Sequence, residues 1–128
     1  MRTALIISSD LNNVEKLSHY LEENGYLASH FFNDDTIQEI INLSKPNLIF
    51  IDIILQKRSG FEVCRKLKSN PKARKIPVVI ISSGDNNIGQ TWGTMLEAEA
   101  YLLKPIDKEQ VAAVLQQLTL KKVETSAN

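Results

Sequence analysis

Asp52, Ser82 and Lys104 each stand at the end of an apolar run: Leu48 to Ile51, Val78 to Ile81, and Tyr101 to Leu103. If those runs are neighbouring strands of an open α/β sheet, their carboxyl ends converge on one crevice, and the polar residues there face a common ligand. A carboxylate, an alcohol and an ammonium group in one crevice suit phosphoryl chemistry. The carboxylate is a nucleophile able to form an acyl phosphate, the hydroxyl can bond a phosphoryl oxygen, and the ammonium offsets developing charge. A divalent cation is the component such a set normally adds. Ser8, Ser9 and Ser83 stand at comparable strand ends.

The elements that must hold these groups follow from strand-length apolar runs alternating with amphipathic stretches, the pattern of βαβ units around a parallel sheet. A first strand is expected from Thr3 to Ser8. The helix after it, from about Leu11 to Asn24, repeats Val14, Leu17 and Leu21 at helical spacing and stops at Gly25. Tyr26 to Phe32 reads as a second strand. Asn33, Asp34 and Asp35 then offer capping oxygens to a helix carrying Ile37, Ile40, Ile41 and Leu43, which Pro46 closes. Asn47 to Asp52 is unbroken in its apolar run, as expected of a central strand covered on both faces. A helix from about Phe61 to Ser69 follows Gly60, and Ile76 to Ser82 is a second continuous strand. Asp85 to Gly93 is a fourth helix with weak formers in it. Tyr101 to Leu103 is a short fifth strand, and Asp107 caps a last helix with Val111, Val114, Leu115 and Leu118 on one face. Residues 1–120 thus form one domain, and 121–128 a polar, frayed tail.

Composition narrows the function classes. The 128 residues carry fifteen basic and fifteen acidic side chains, so no net field draws the chain to nucleic acid or an anionic membrane. No apolar run approaches the roughly 18 residues of a membrane span, and Ala4 to Ile7 is too short for the core of a signal peptide. Cys64 is the single cysteine, which excludes an internal disulfide framework and agrees with a cytoplasmic protein.

The segment from Leu48 through Asp52 and Gly60 to Cys64 resembles the phosphoacceptor region of response-regulator receiver domains, with an aspartate at a strand end and a glycine eight residues on. Pro77 to Ser83 resembles their hydroxyl-bearing fourth strand, and Tyr101 to Pro105 their lysine-proline element. The resemblance runs from Thr3 to about Leu118, and Trp92 and Gly93 add a likeness to single-domain receivers of chemotaxis-like and twitching-motility pathways. It implies a flavodoxin-like fold: a five-stranded parallel sheet of order 2-1-3-4-5 with helices on both faces. It also implies a two-component phosphorelay receiver that is not an enzyme beyond self-phosphorylation and self-dephosphorylation at Asp52. Ser82 and Lys104 would assist, Tyr101 would be the switch residue, a histidine kinase or phosphotransfer protein would be the donor, and a downstream protein would dock on the face around Tyr101. With no effector domain attached, output is expected by association in trans.

One functional position departs from that pattern. Receivers usually place two adjacent acids at the end of the first strand to hold Mg²⁺, and counting back from Gly25 puts Ser8 and Ser9 there. A neutral hydroxyl is a poor ligand for a hard cation, so metal binding is expected to be weakened or absent. A one-residue slip of the loop would instead let Asp10 join Asp52 and the backbone carbonyl of Ile54 at the metal. A phosphorylation-independent pseudo-receiver, acting as a protein-binding module, therefore stands as the alternative. A flavin-type carrier is a third reading, because Ser8 to Asn13 could meet a phosphate at a helix N-terminus; that loop lacks glycine, and Lys104-Pro105 would go unexplained. In residue terms alone Tyr101 is a core aromatic, His19 and His30 are packing or surface residues, Cys64 is a small buried hydrophobe, and Lys66, Lys68, Lys72, Arg74 and Lys75 form a solvated face.

Overall fold

A computed structural model describes residues 2–32, 36–55, 59–83 and 98–127, with side chains up to Thr119. Its strands are β1 (Arg2–Ile7), β2 (Tyr26–Phe31), β3 (Leu48–Asp52), β4 (Val78–Ser83) and β5 (Ala100–Lys104), and its helices are α1 (Leu11–Glu23), α2 (Ile37–Ser44), α3 (Gly60–Ser69) and α4 (Lys108–Ala127). The five strands form one sheet in the order β2-β1-β3-β4-β5, every pair parallel. This is the expected α/β architecture and strand order.

β-Branched and aliphatic residues dominate the inner strands because both faces are covered. Ile6, Phe50, Val79, Ile81 and Leu102 point to the layer of α1 and α4, where they meet Leu17, Leu21, Val111 and Leu115. Leu5, Ile7, Ile49, Ile51 and Ile80 point to the layer of α2 and α3, against Ile37, Ile41, Val63, Cys64 and Leu67. The edge strand β2 is only partly covered, which explains its mixed composition.

Local chemistry sets the ends of the helices. Asp10 caps α1 by accepting from the Asn13 amide, Ser59 caps α3 by accepting from the Glu62 amide, and Gly25 adopts φ +87° after α1, a conformation open to glycine. Several sequence expectations change here. The N-cap of α2 is Thr36, without a side-chain cap bond, and Asn33 to Asp35 lie outside the described residues. Leu43 is 87% exposed rather than part of the buried stripe, since only Ile37 and Ile41 of α2 face the sheet squarely. α4 stays helical to Ala127, past the point where a frayed tail was expected; Lys121, Lys122 and Glu124 are adequate helix formers. The helix expected from Asp85 to Gly93, with Trp92, lies outside the described residues.

Lys68 also departs from expectation. Its ammonium is almost wholly buried against Glu99 Oε1 at 2.5 Å and donates to the carbonyls of Arg74 and Ile76 at 3.2 and 3.1 Å. Lys66, Lys72, Arg74 and Lys75 are exposed as expected.

Gly60 is the closest packing constraint on the site. A Cβ there would lie 2.2 Å from the Asp52 carbonyl oxygen, so α3 can start against the tip of β3 only with glycine. Gly60→Ala is expected to cost roughly 1–3 kcal/mol through displaced backbone, read as a lower urea midpoint; an unchanged midpoint would mean that this approach is not tight.

Candidate functional site

The site forms where β1, β3 and β5 end. Ile7 is the register partner of Ile51, so Ser8, the next residue, stands beside Asp52. The Asp52 side chain is only 3% exposed and cannot rely on bulk water for its charge, which makes its hydrogen-bond donors decisive. Lys104 Nζ lies 2.9 Å from Asp52 Oδ2. The Ser8 hydroxyl donates to the same oxygen at 3.0 Å, and the Ile54 amide donates to Oδ1 at 3.1 Å. Acid and amine thus meet directly, as the sequence predicts. The Lys104–Pro105 peptide is cis.

Ser82 is buried one residue past Ile81, the register partner of Asp52, on a strand about 4.8 Å away. Alternation gives it the face shared by Ile80 and Tyr101, whereas Ser83, the partner of Lys104, shares the face of Asp52. The alcohol is therefore at the neighbouring strand tip, turned toward the layer of Tyr101.

Asp10 has a different task from the one a slipped loop would give it. Its carboxylate accepts from the Asn13 amide at 3.4 Å and from the Asn13 side chain at 2.6 Å, with Lys104 Nζ 3.7 Å from Oδ2. Its own amide donates to the Ser8 hydroxyl at 3.1 Å. Ser9 is exposed. The carboxylate oxygens of Asp10 and Asp52 therefore already meet protein donors. A hard divalent cation needs about six oxygen ligands, carboxylates foremost; here two acids share one ammonium, and Ser8 and Ser9 add only neutral hydroxyls. Among the described residues no group of three acidic, histidine or cysteine side chains converges. The arrangement does not fit Mg²⁺.

Two contacts escaped the sequence reading. His30 Nε2 donates to the Ser8 carbonyl at 2.8 Å while its ring meets Phe32 edge-on at 4.5 Å, so an apparently isolated histidine braces the chain where it leaves β1. Gln110 bonds the Leu103 backbone, next to Lys104. Neither has a sequence signal beyond lying one strand or one turn from the site.

Tyr101 packs on the α2–α3 layer, and its hydroxyl is buried without a hydrogen-bond partner among the described residues. Burial, followed by the nearby Cys64 and Glu99, pushes the phenol above its ordinary value of 10.0.

A five-stranded parallel sheet with an acid paired to a lysine at its strand tips defines a flavodoxin-like domain built around a buried carboxylate. The chain belongs to the response regulator receiver domain family, whose profile matches residues 4–116. It is 28% identical over 109 residues to the protein PilH of Pseudomonas aeruginosa, covering 85% of this chain and 90% of that one. It is 32% identical over 120 residues to the response regulator PleD of Caulobacter vibrioides, covering 93% of this chain but only 26% of PleD. Among solved structures, the receiver domain of a signal transduction histidine kinase from Syntrophus aciditrophicus is 28% identical with a TM-score of 0.81, covering 93% of this chain and 91% of that one. The chemotaxis protein CheY4 of Vibrio cholerae, at 18% identity, shares the fold with a TM-score of 0.81 over 91% of this chain and 98% of its own. The chain is thus a receiver domain of two-component signalling. Such domains are generally not enzymes, typically bind Mg²⁺, and interact with histidine kinases or phosphotransfer proteins. No helix among the described residues is long and apolar enough to cross a membrane.

Tyr101→Phe removes a buried hydroxyl that has no partner among the described residues and is expected to raise stability by about 1 kcal/mol at neutral pH. Because the folded phenol ionises later than the unfolded one, its contribution is complete below the ordinary value of 10.0 and is lost as pH rises through the folded value. Urea midpoints across the alkaline range should therefore fall less steeply in the variant. A lower midpoint at neutral pH would mean that the hydroxyl has a partner.

Proposed function

We propose that Asp52 is the phosphoacceptor of this domain. A carboxylate oxygen attacks the phosphorus of a phosphorylated histidine on a kinase or phosphotransfer protein, a P–O bond forms, and the P–N bond breaks with its electron pair going to the imidazole. Lys104 offsets the charge that gathers on the phosphoryl oxygens, and the strand tip that carries Ser82 lies beside them. The observation that carries the reading is the 2.9 Å contact between Lys104 Nζ and the buried Asp52 Oδ2. Water later hydrolyses the acyl phosphate, so any turnover is confined to the domain's own phosphoryl group. The domain works in the cytoplasm, and its output is a protein contact on the face around Tyr101.

Tyr101 is the switch residue on this reading. Its hydroxyl is buried with no partner among the described residues, so a second packing that gives it one gains that bond. Added charge at Asp52 shifts the balance between the two. Incubation with a small phosphodonor should add one phosphoryl mass to the wild type and none to Asp52→Asn. An adduct that persists in Asp52→Asn would sink the assignment.

The cation requirement of this domain is weak or absent because Ser8 and Ser9 stand where a metal site needs acids. The phosphorylation-independent alternative draws on the same two residues, but the relatives lend it no added support. Thermal unfolding separates the cases, since a ligand bound only by the folded state raises the midpoint. Millimolar Mg²⁺ should leave the wild-type midpoint unchanged. Ser8→Asp should be less stable without metal, from two carboxylates forced together, and should regain stability with Mg²⁺. A saturable Mg²⁺ response of the wild type would contradict the proposal.

A further inference from the structure

Lys104 lies at the end of β5, which among the described residues is an edge strand paired with β4. Beyond it the chain turns through Pro105, Ile106 and Asp107 into α4. A long side chain that must meet Asp52 at 2.9 Å needs a fixed backbone origin, and an edge strand is the part of a sheet least able to provide one. The outer edge of β5 is held at one point by a side chain from α4. Gln110 Oε1 accepts from the Leu103 amide, and Gln110 Nε2 donates to the Leu103 carbonyl at 2.9 Å. One primary amide thus satisfies both outward-facing backbone groups of the residue before Lys104, standing in for a residue of a sixth strand.

Gln110 is itself held in place. Its backbone amide donates to Asp107 Oδ1 at 2.8 Å, which fixes the first turn of α4. At this position a glutamine often reaches back to the amide of the capping residue; here the side chain is committed to Leu103 instead.

We propose that Gln110 is a positioning residue for Lys104: by clamping the Leu103 peptide from outside the sheet, it holds the ammonium on Asp52. The inference deepens the phosphoacceptor reading and rests on it for its consequence, but the clamp has a readout of its own. It also makes α4 a direct mechanical neighbour of the pocket, through Leu103 and without passing through Tyr101.

The test uses the full chain with Gln110→Ala, Gln110→Glu and, as a control on the same helix, the exposed Gln117→Ala. The first measurement is the NMR signal of the Lys104 ammonium protons, which survives solvent exchange only while Asp52 shields it. The second is the initial rate of phosphoryl uptake from acetyl phosphate, followed by intact mass. Amide exchange at Phe50 and Ile51 reports whether the central sheet is intact. In Gln110→Ala the ammonium signal should broaden or vanish, and uptake should slow about tenfold as the aligned contact is lost, while exchange at Phe50 and Ile51 stays at the wild-type rate. Gln110→Glu keeps the acceptor for the Leu103 amide but sets a carboxylate against the carbonyl, so it should fall between. Gln117→Ala should match the wild type. An unchanged ammonium signal in Gln110→Ala overturns the inference, as does a lost signal with unchanged uptake. If the wild type takes up no phosphoryl group, the phosphoacceptor reading fails, and the ammonium signal still decides the clamp.

Discussion

A carboxylate buried at the tip of the central strand is the constraint from which the local architecture follows. Removing the charge of Asp52 from water costs several kcal/mol unless donors replace the lost solvation. The replacements come from separate segments: the Ser8 hydroxyl after β1, the Ile54 amide after β3 and the Lys104 ammonium at the end of β5. Each can arrive only if its strand stops at the correct register against β3. The parallel register that pairs Ile7 with Ile51 and Asp52 with Ile81 is therefore tied to an electrostatic requirement as well as to side-chain packing. The 2.2 Å that a Cβ at position 60 would leave to the Asp52 carbonyl adds a steric condition at the same point.

Much of this was legible because burial on both faces of a sheet leaves a strong trace. Leu48 to Ile51 and Val78 to Ile81 are continuous apolar runs, and such runs have few homes other than inner parallel strands. The polar residues that end them were candidates for the same reason, and the meeting of Asp52 with Lys104 followed from strand order. Contacts set by tertiary neighbours were not legible. Lys68 sits in a basic cluster that looks uniformly solvated, yet it is buried by Glu99, 31 residues away. Leu43 continues an apolar spacing but overshoots the narrow face that an eight-residue helix presents. Ser82 ends the right strand, while the two-residue repeat turns it to the other face, a distinction that depends on the register at the strand end. His30 gained its role from Ser8, whose carbonyl it reaches across the β1–β2 pair.

The serine at position 8 sets the character of the pocket through its hydrogen bonds. A hydroxyl can both donate and accept, and this one does: it accepts from Asp10 and donates to Asp52. An acid there would repel Asp52 and call for a cation between them; the hydroxyl satisfies Asp52 and leaves Lys104 as the compensating charge. Ser8 thus supplies Asp52 with a donor where an acid would have added a second negative charge.

β5 gathers these constraints along one short strand. At its entrance the Glu99 carboxylate accepts from the Val78 amide at 2.6 Å and pairs with Lys68; at its exit Lys104 pairs with Asp52. Its outer edge is held by Gln110, and between the two ends lies the buried hydroxyl of Tyr101. The two ion pairs differ in what can alter them. Lys68 and Glu99 are held by the Arg74 and Ile76 carbonyls of the loop after α3 and by the Val78 amide of β4. Lys104 answers directly to the charge on Asp52. Between these two ion pairs Tyr101 packs on the α2–α3 layer, its hydroxyl without a partner among the described residues.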